Sequence, residues 1–449
     1  MGELLHKNSP MCTKSELDLF AMPGTQTAID SSYMQEIKSI NPVSMAGPME
    51  FVLEGSSDEY TDLCSLTLHT KFKVTREDGG NLHVDDVVAL EQNAMHSMFS
   101  QVDVTLSDTV ISHSDQMHHY RAYIDDVLSF GSDAHKTHLR AAGLRIPAPD
   151  ENGVYEQVGT AEYRLKTKVA TNNRSIELMG GLHIDIANQE KLMLSATNLR
   201  VKLTPNKKEF YLKVGANTPA AQGQAAVPAP RNFAIRLEDV SLWVRKVKIN
   251  PAVFIAHAEV LQQHNAVYPM KRVEMKTYTI PQGSTSHNKD HLYSGVLPTR
   301  LVVGLVNNNA YNGNMQNSGF NFAHFDLSDL TLYKDGVIVT GKSLQMNYDR
   351  AEYLRAYINT LKSIGKFGAD EGIVINQDNF HKGFALYAFD LTPDQNDDNG
   401  YFDLVQKGSI RLDLNFSEDL NATTNVVCYA EFDSILQVDR SRNVQIDWS

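Results

Sequence analysis

Cysteine is scarce: three residues in 449, at Cys12, Cys64 and Cys428, too few and too scattered for a disulfide framework and without the CxxC or Cys/His spacing of a zinc site. They read as reduced thiols in a reducing compartment. Basic runs are also missing. The chain carries 41 Lys and Arg against 54 Asp and Glu, a net charge of −13, and no Lys/Arg cluster suited to neutralising phosphates, which disfavours direct binding to a genome. No stretch of 18 apolar residues occurs, so no membrane insertion is expected. The N-terminal MGELLHKNSPMCTKSELDLF lacks an apolar core of signal-peptide length, and His6 stands where a myristoylation pattern wants Ser or Thr. Secretion by the ordinary route is therefore not expected, and neither is modification of the sequons at Asn173, Asn415 and Asn421. Neither GxSxG, GxGxxG nor HExxH is found.

What the chain has in quantity is alternation. In CSLTLHTKFKVT, Cys64, Leu66, Leu68, Phe72 and Val74 point one way and the polar residues the other, the mark of a strand with one buried face. The pattern returns at Leu199, Val201 and Leu203, at Val240, Leu242 and Val244, and at Ile410, Leu412, Leu414 and Phe416. Many such strands imply sandwiches or barrels. Helices are few. RAYIDDVLSFG from Arg121 places Tyr120, Tyr123, Ile124, Val127 and Leu128 on one helical face, within a helix expected over 115–130. RAYINTLKSIG from Arg355 repeats the phrase, with Leu354, Tyr357, Ile358 and Leu361 as its expected apolar stripe over 349–364.

The surroundings repeat too. DVTLSDTVI from Asp103 answers DLTLYKDGVI from Asp329, each a strand, a turn and a second strand. Downstream, LHIDI and NLRVKL correspond to YAFDL and SIRLDL. The chain is therefore expected to hold two copies of one β-rich unit, each with a helix inserted between strands. The expected divisions are an arm over 1–47, a first unit over 48–250, a second over 251–437 and a tail over 438–449. AVFIAHAEVLQQ after Asn250-Pro251 is helix-like, and the small, Pro-rich stretch Ala216 to Pro230 reads as a long surface loop of the first unit.

Three stretches could carry a site. GVIVTGKS, Gly336 to Ser343, fits the phosphate-loop pattern, but its β-branched run follows a Lys334-Asp335-Gly336 turn and no helix follows Ser343, so a hairpin is expected. Five histidines fall between His113 and His138, with HxxH at His135 and His138; adjacent His118 and His119 cannot face one ion, and a polar helix surface is expected. PDQNDDNG offers Asp394, Asn396 and Asp398 at calcium-loop spacing, but Gly400 is one place late and Val405 stands where Glu is needed. No residue is assigned a catalytic, cofactor-binding or metal-ligating role, and no enzyme activity is expected.

Taken in order, FSQVDVTLSDTVIS, YRAYIDDVLSFG, LRVKLTPNKKEFYL, YPMKRVEMKTYTIPQG, LPTRLVVGLVNNNAYNG, LYAFDLTPDQNDDNGYF and VVCYAEFDSILQVDRSRNVQID resemble the hexon-like capsid proteins of Polinton/Maverick elements and adintoviruses, from about Leu17 to Asp447. The Ala216 to Pro230 stretch departs from that pattern as an insertion. The resemblance implies two tandem jelly-roll β-barrels, all-β with a few inserted helices. It also implies a major capsid protein of an icosahedral double-stranded DNA virus shell, assembled inside the host cell, in nucleus or cytoplasm, and resident in the virion. Three chains of two barrels each make a pseudo-hexameric homotrimeric capsomer, whose partners are neighbouring capsomers, penton and minor capsid proteins. The arm and the tail are expected to make such contacts, and deletion of residues 1–40 to impair assembly. A carbohydrate- or receptor-binding β-sandwich of a virion is the alternative; it wants an aromatic platform, and the chain has two tryptophans, Trp243 and Trp448. An enzyme on a jelly-roll scaffold would need a His and carboxylate cluster that no spacing announces.

Overall fold

The computed structural model describes residues 14–20, 22–83, 86–112, 115–146, 174–214, 232–397 and 401–447. Eight strands of the first half are β1 (Ile29–Lys38), β2 (Met49–Leu53), β3 (Glu59–Arg76), β4 (Phe99–Leu106), β5 (Thr109–Val110), β6 (Ile176–Gly181), β7 (Leu199–Pro205) and β8 (Phe233–Ile249). Eight of the second are β9 (Ala266–Ile280), β10 (Ser286–Val296), β11 (Arg300–Asn307), β12 (Leu327–Lys334), β13 (Val337–Ile338), β14 (Leu386–Asp390), β15 (Lys407–Phe416) and β16 (Thr424–Val438). The sheets of the first half run β1-β8-β3-β6 and β2-β7-β4-β5, and those of the second β9-β16-β11-β14 and β10-β15-β12-β13, all antiparallel. Adding eight to each label converts the first unit into the second. Two facing four-stranded sheets with this crossing order make a jelly roll, and the chain holds two in tandem.

Alternation builds them as expected. Leu66, Leu68, Phe72 and Val74 of β3, Leu199, Val201 and Leu203 of β7, Val240, Leu242 and Val244 of β8, and Ile410, Leu412, Leu414 and Phe416 of β15 are all buried. Cys64 is the exception and is exposed. The β3–β8 register slips between Trp243 and Arg245, and a bulge of this kind turns every side chain beyond it to the other face. The segment that answers YAFDL is also not LHIDI: the strand is β6, and Asp185–Asn188 forms a 3-10 turn after it.

Three longer helices join these strands: α1 (His118–Ser129) between β5 and β6, α2 (Pro251–Val260) between β8 and β9, and α3 (Leu354–Ser363) between β13 and β14. Thus α1 and α3 hold equivalent places. In α2 the Asn250 side chain accepts from the Ala252 N–H at 2.9 Å and Pro251 occupies the first turn, a strong start signal.

The arm and the tail are shorter than expected. Ile29–Lys38 lies within the expected arm, yet it is β1 and pairs along β8. Val444–Asp447 lies within the expected tail, yet it pairs with β16, and Val444 is buried in the first unit's core. Both segments close sheets of their own chain. The stretch 216–230 lies outside the described residues, as do residues 1–13.

Candidate functional site

The two barrels meet across α1. Tyr120, Tyr123, Ile124, Val127 and Leu128, the face expected from the sequence, are all buried, but in the core of the second unit. Tyr123 stacks on Phe320 with centroids 4.4 Å apart, and Tyr120 on Tyr311 at 5.5 Å. In return Tyr268, Met270, Leu436 and Val438 of the second unit enter the first unit's core. Gly319 is required at this seam: a Cβ there would lie 2.4 Å from the Phe210 ring. Beside it, buried Glu91 pairs with Lys213 at 3.0 Å and accepts from Ser318 Oγ at 2.9 Å, while Lys213 donates to the carbonyls of Asn314 and Asn317. First-unit charges thus clamp a second-unit loop.

The other face of α1 carries polar groups. Arg121 pairs with Asp185 at 2.6 Å and lies 3.7 Å from Asp125. His183 holds Nδ1 at 3.1 Å from Asp125 Oδ2 and Nε2 at 3.2 Å from Asp126 Oδ1. Asn93 donates to Asp126 Oδ2 at 2.7 Å, and His96 Nδ1 meets His118 Nε2 at 3.3 Å. Burial alone would strip the proton from His183, but the Asp126 charge and the hydrogen bonds to Asp125 and Asp126 push its pKa up to about 10. Burial, reinforced by the His183 charge, drives His96 down to about 3. Burial and then His96 likewise lower His118.

The charges continue into the second unit. A cavity of about 450 Å³ beside Asp125 is lined by Arg300, Lys366, Tyr429 and Glu431. Arg300 reaches Glu431 at 3.3 Å and Asp397 at 3.1 Å, and Lys271 reaches Asp397 at 2.6 Å. Buried ion pairs of this sort do more for the uniqueness of a docking geometry than for net stability, because desolvation offsets much of their attraction.

The stretches singled out from sequence fall elsewhere. Val337–Ile338 of GVIVTGKS is β13, hairpinned to β12. The carbonyls of Thr340, Lys342 and Ser343 accept from Arg355 at 3.3, 2.9 and 2.7 Å, so this turn faces a cation with oxygens, the reverse of a phosphate cradle. In PDQNDDNG, Asp394 Oδ1 accepts from the Asn396 N–H at 3.2 Å within the turn, and Asp398 to Gly400 lie outside the described residues. His113 does too. His118 and His119 are not on a polar helix surface: they are 5% and 6% exposed, His119 against Phe210 at 4.3 Å between centroids. His138 packs on Phe130. The residues the sequence did not announce are His96, Asp126 and His183. They lie on three separate elements, and no fixed spacing could have joined them.

No protein-family model matches the chain. The uncharacterized protein F54H12.2 of Caenorhabditis elegans is 25% identical over 446 residues, which covers 95% of this chain and 99% of that one. Among solved structures, the fold is similar to that of the Sputnik virophage (TM-score 0.61, 12% identity, 98% of this chain and 93% of the other). It is also similar to the mavirus major capsid protein (0.56, 11%, 99% and 97%) and the Faustovirus major capsid protein (0.55, 9%, 93% and 92%). The chain therefore has the double jelly-roll fold of the major capsid proteins of virophages and large DNA viruses.

Proposed function

We propose that this protein is a major capsid protein of the Polinton/Maverick and adintovirus kind, without enzymatic activity, forming pseudo-hexameric homotrimeric capsomers of an icosahedral double-stranded DNA virus shell. The observation that carries the reading is the identical strand order of two barrels, locked into one body by α1 and matched along nearly the whole chain by capsid proteins. A rigid pair of similar barrels supplies two of six near-equivalent positions, so three chains around one axis supply all six. The division near Asn250 belongs to the same reading, since α2 spans the step from β8 to β9. Neighbouring capsomers, penton and minor capsid proteins are the proposed partners, and the virion shell is the proposed location. Among the described residues no helix is long and apolar enough to cross a membrane.

The arm fits contact with neighbours: Leu17, Leu19, Phe20 and Met22 are 70–95% exposed and bury nothing of their own. Deleting residues 1–28, which spares β1, is expected to leave folded trimers that assemble poorly. Native mass spectrometry and negative-stain microscopy of the purified chain give the test. Trimers with a sixfold outline are expected, and a stable monomer or dimer at micromolar concentration would refute the reading. The alternative of a carbohydrate-binding sandwich has little to stand on, since Trp243 is part-buried within β8 and flanked there by strands on both sides.

A further inference from the structure

Three side chains at the junction each offer one atom to a common point. His96 comes from the short helix Ala94–Ser97, Asp126 from α1, and His183 from the chain leaving β6; their donor atoms all lie within 4.8 Å of one another. His96 and Asp126 are 1% exposed. Each of the three has its second polar atom already engaged: His96 Nδ1 with His118, His183 Nδ1 with Asp125, and Asp126 Oδ2 with Asn93. Metal-binding imidazoles and carboxylates are held this way, one atom tied down by an outer partner so that the other is aimed at the ion.

A second observation points to an ion. Asp126 Oδ1 and His183 Nε2 lie 3.2 Å apart as a buried ion pair, and beyond that contact this oxygen has no partner. Two polar atoms lying side by side and facing the same space are placed as neighbouring ligands are, since bonds of about 2.0–2.2 Å separate adjacent ligand atoms by roughly 3–3.5 Å.

We propose that His96, Asp126 and His183 bind one divalent transition-metal ion of the zinc class, with a fourth position left to solvent. Two imidazoles and one carboxylate suit such an ion, whereas calcium and magnesium require oxygen ligands. Imidazole and carboxylate ligate in their deprotonated forms, so any proton on a ligand atom leaves to solvent as the ion binds. The role is structural. All three ligands belong to the first unit, and Asp126 sits on the helix whose opposite face fills the second unit's core, so the ion ties that helix to its own barrel.

The test uses the full chain, stripped with chelator, dialysed and titrated with Zn²⁺ by calorimetry, then with Co²⁺, whose visible bands report nitrogen and oxygen coordination. One ion per chain and a Tm raised by Zn²⁺ are expected. His96→Gln and Asp126→Asn preserve shape and should weaken binding by more than about 100-fold, with the far-UV circular dichroism unchanged. A His135→Ala/His138→Ala double variant should bind like the parent. Absence of binding by the parent chain overturns the proposal. So does binding that survives His96→Gln and Asp126→Asn, or that is lost in the His135/His138 variant.

Discussion

The helices α1 and α3 share the four letters Arg-Ala-Tyr-Ile and occupy the same slot between equivalent strands, yet they bury opposite kinds of surface. In α1 the aromatic stripe is buried, because the second barrel lies against it. In α3 the expected stripe is not: Leu354 is 51% exposed and Tyr357, Ile358 and Leu361 are half-buried. What α3 buries is Ala356, Thr360 and Ser363. Thr360 Oγ1 donates to the Leu386 carbonyl at 3.0 Å and accepts from the Ala388 N–H at 3.3 Å, while Asn359 donates to the Ala388 carbonyl at 2.8 Å. These side chains satisfy the free edge of β14, a use of the helix that prevents edge-to-edge pairing. The two arginines diverge in the same way: Arg121 is part-buried against Asp185, and Arg355 is exposed and holds three turn carbonyls. Duplication copies a topology, and each copy is then adapted to whatever lies beside it.

The arginines give the sharpest test. Removing Arg121 strands Asp185 as an uncompensated buried charge, so Arg121→Met should destabilise the fold by about 3–5 kcal/mol in chemical denaturation. Arg355→Met should cost no more than about 1 kcal/mol, because its carbonyl partners can turn to water. Equal costs would break the contrast drawn here. The isoleucines come next. Ile124, 1% exposed, should cost about 2–5 kcal/mol on replacement by Ala. Ile358 is half-buried, and the same change there should cost about 1 kcal/mol. A cost at Ile358 as large as at Ile124 would mean that its stripe is covered by another copy of the chain, which repetition at low and high protein concentration would reveal. Thr360→Val should cost about 1–2 kcal/mol for the lost bonds to β14. Its more telling readout is hydrogen exchange, which should accelerate at Ala388 while β11 stays protected.

Much of the fold is legible in the sequence. Period-two alternation marked β3, β7, β8 and β15, and the repeated strand, turn and helix order marked the tandem units, because both are local properties of a chain that must bury one face of each strand. The helical stripe of α1 was legible for the same reason. The stripe of α3 was misread, since periodicity names an apolar face without saying whether anything covers it. The β6 strand was displaced onto LHIDI, and the phase of Cys64 was lost, because a bulge depends on the partner strand. The ends of β1 and the pairing of Val444–Asp447 with β16 were hidden, since edge strands need only one neighbour and carry weak alternation.

The sequence by itself determined the strands, the doubling and the acidic surface. Only the tertiary structure decided that α1 belongs to the other barrel's core, that Arg121 meets Asp185 and Lys213 meets Glu91, and that His96, Asp126 and His183 converge. Spacings of 30 and 57 residues separate these last three in the chain, from 96 to 126 and from 126 to 183. Contacts of that kind arise when sheets close and a helix is trapped between them, and they depend on the sum of many weak burials, which no single window of sequence contains.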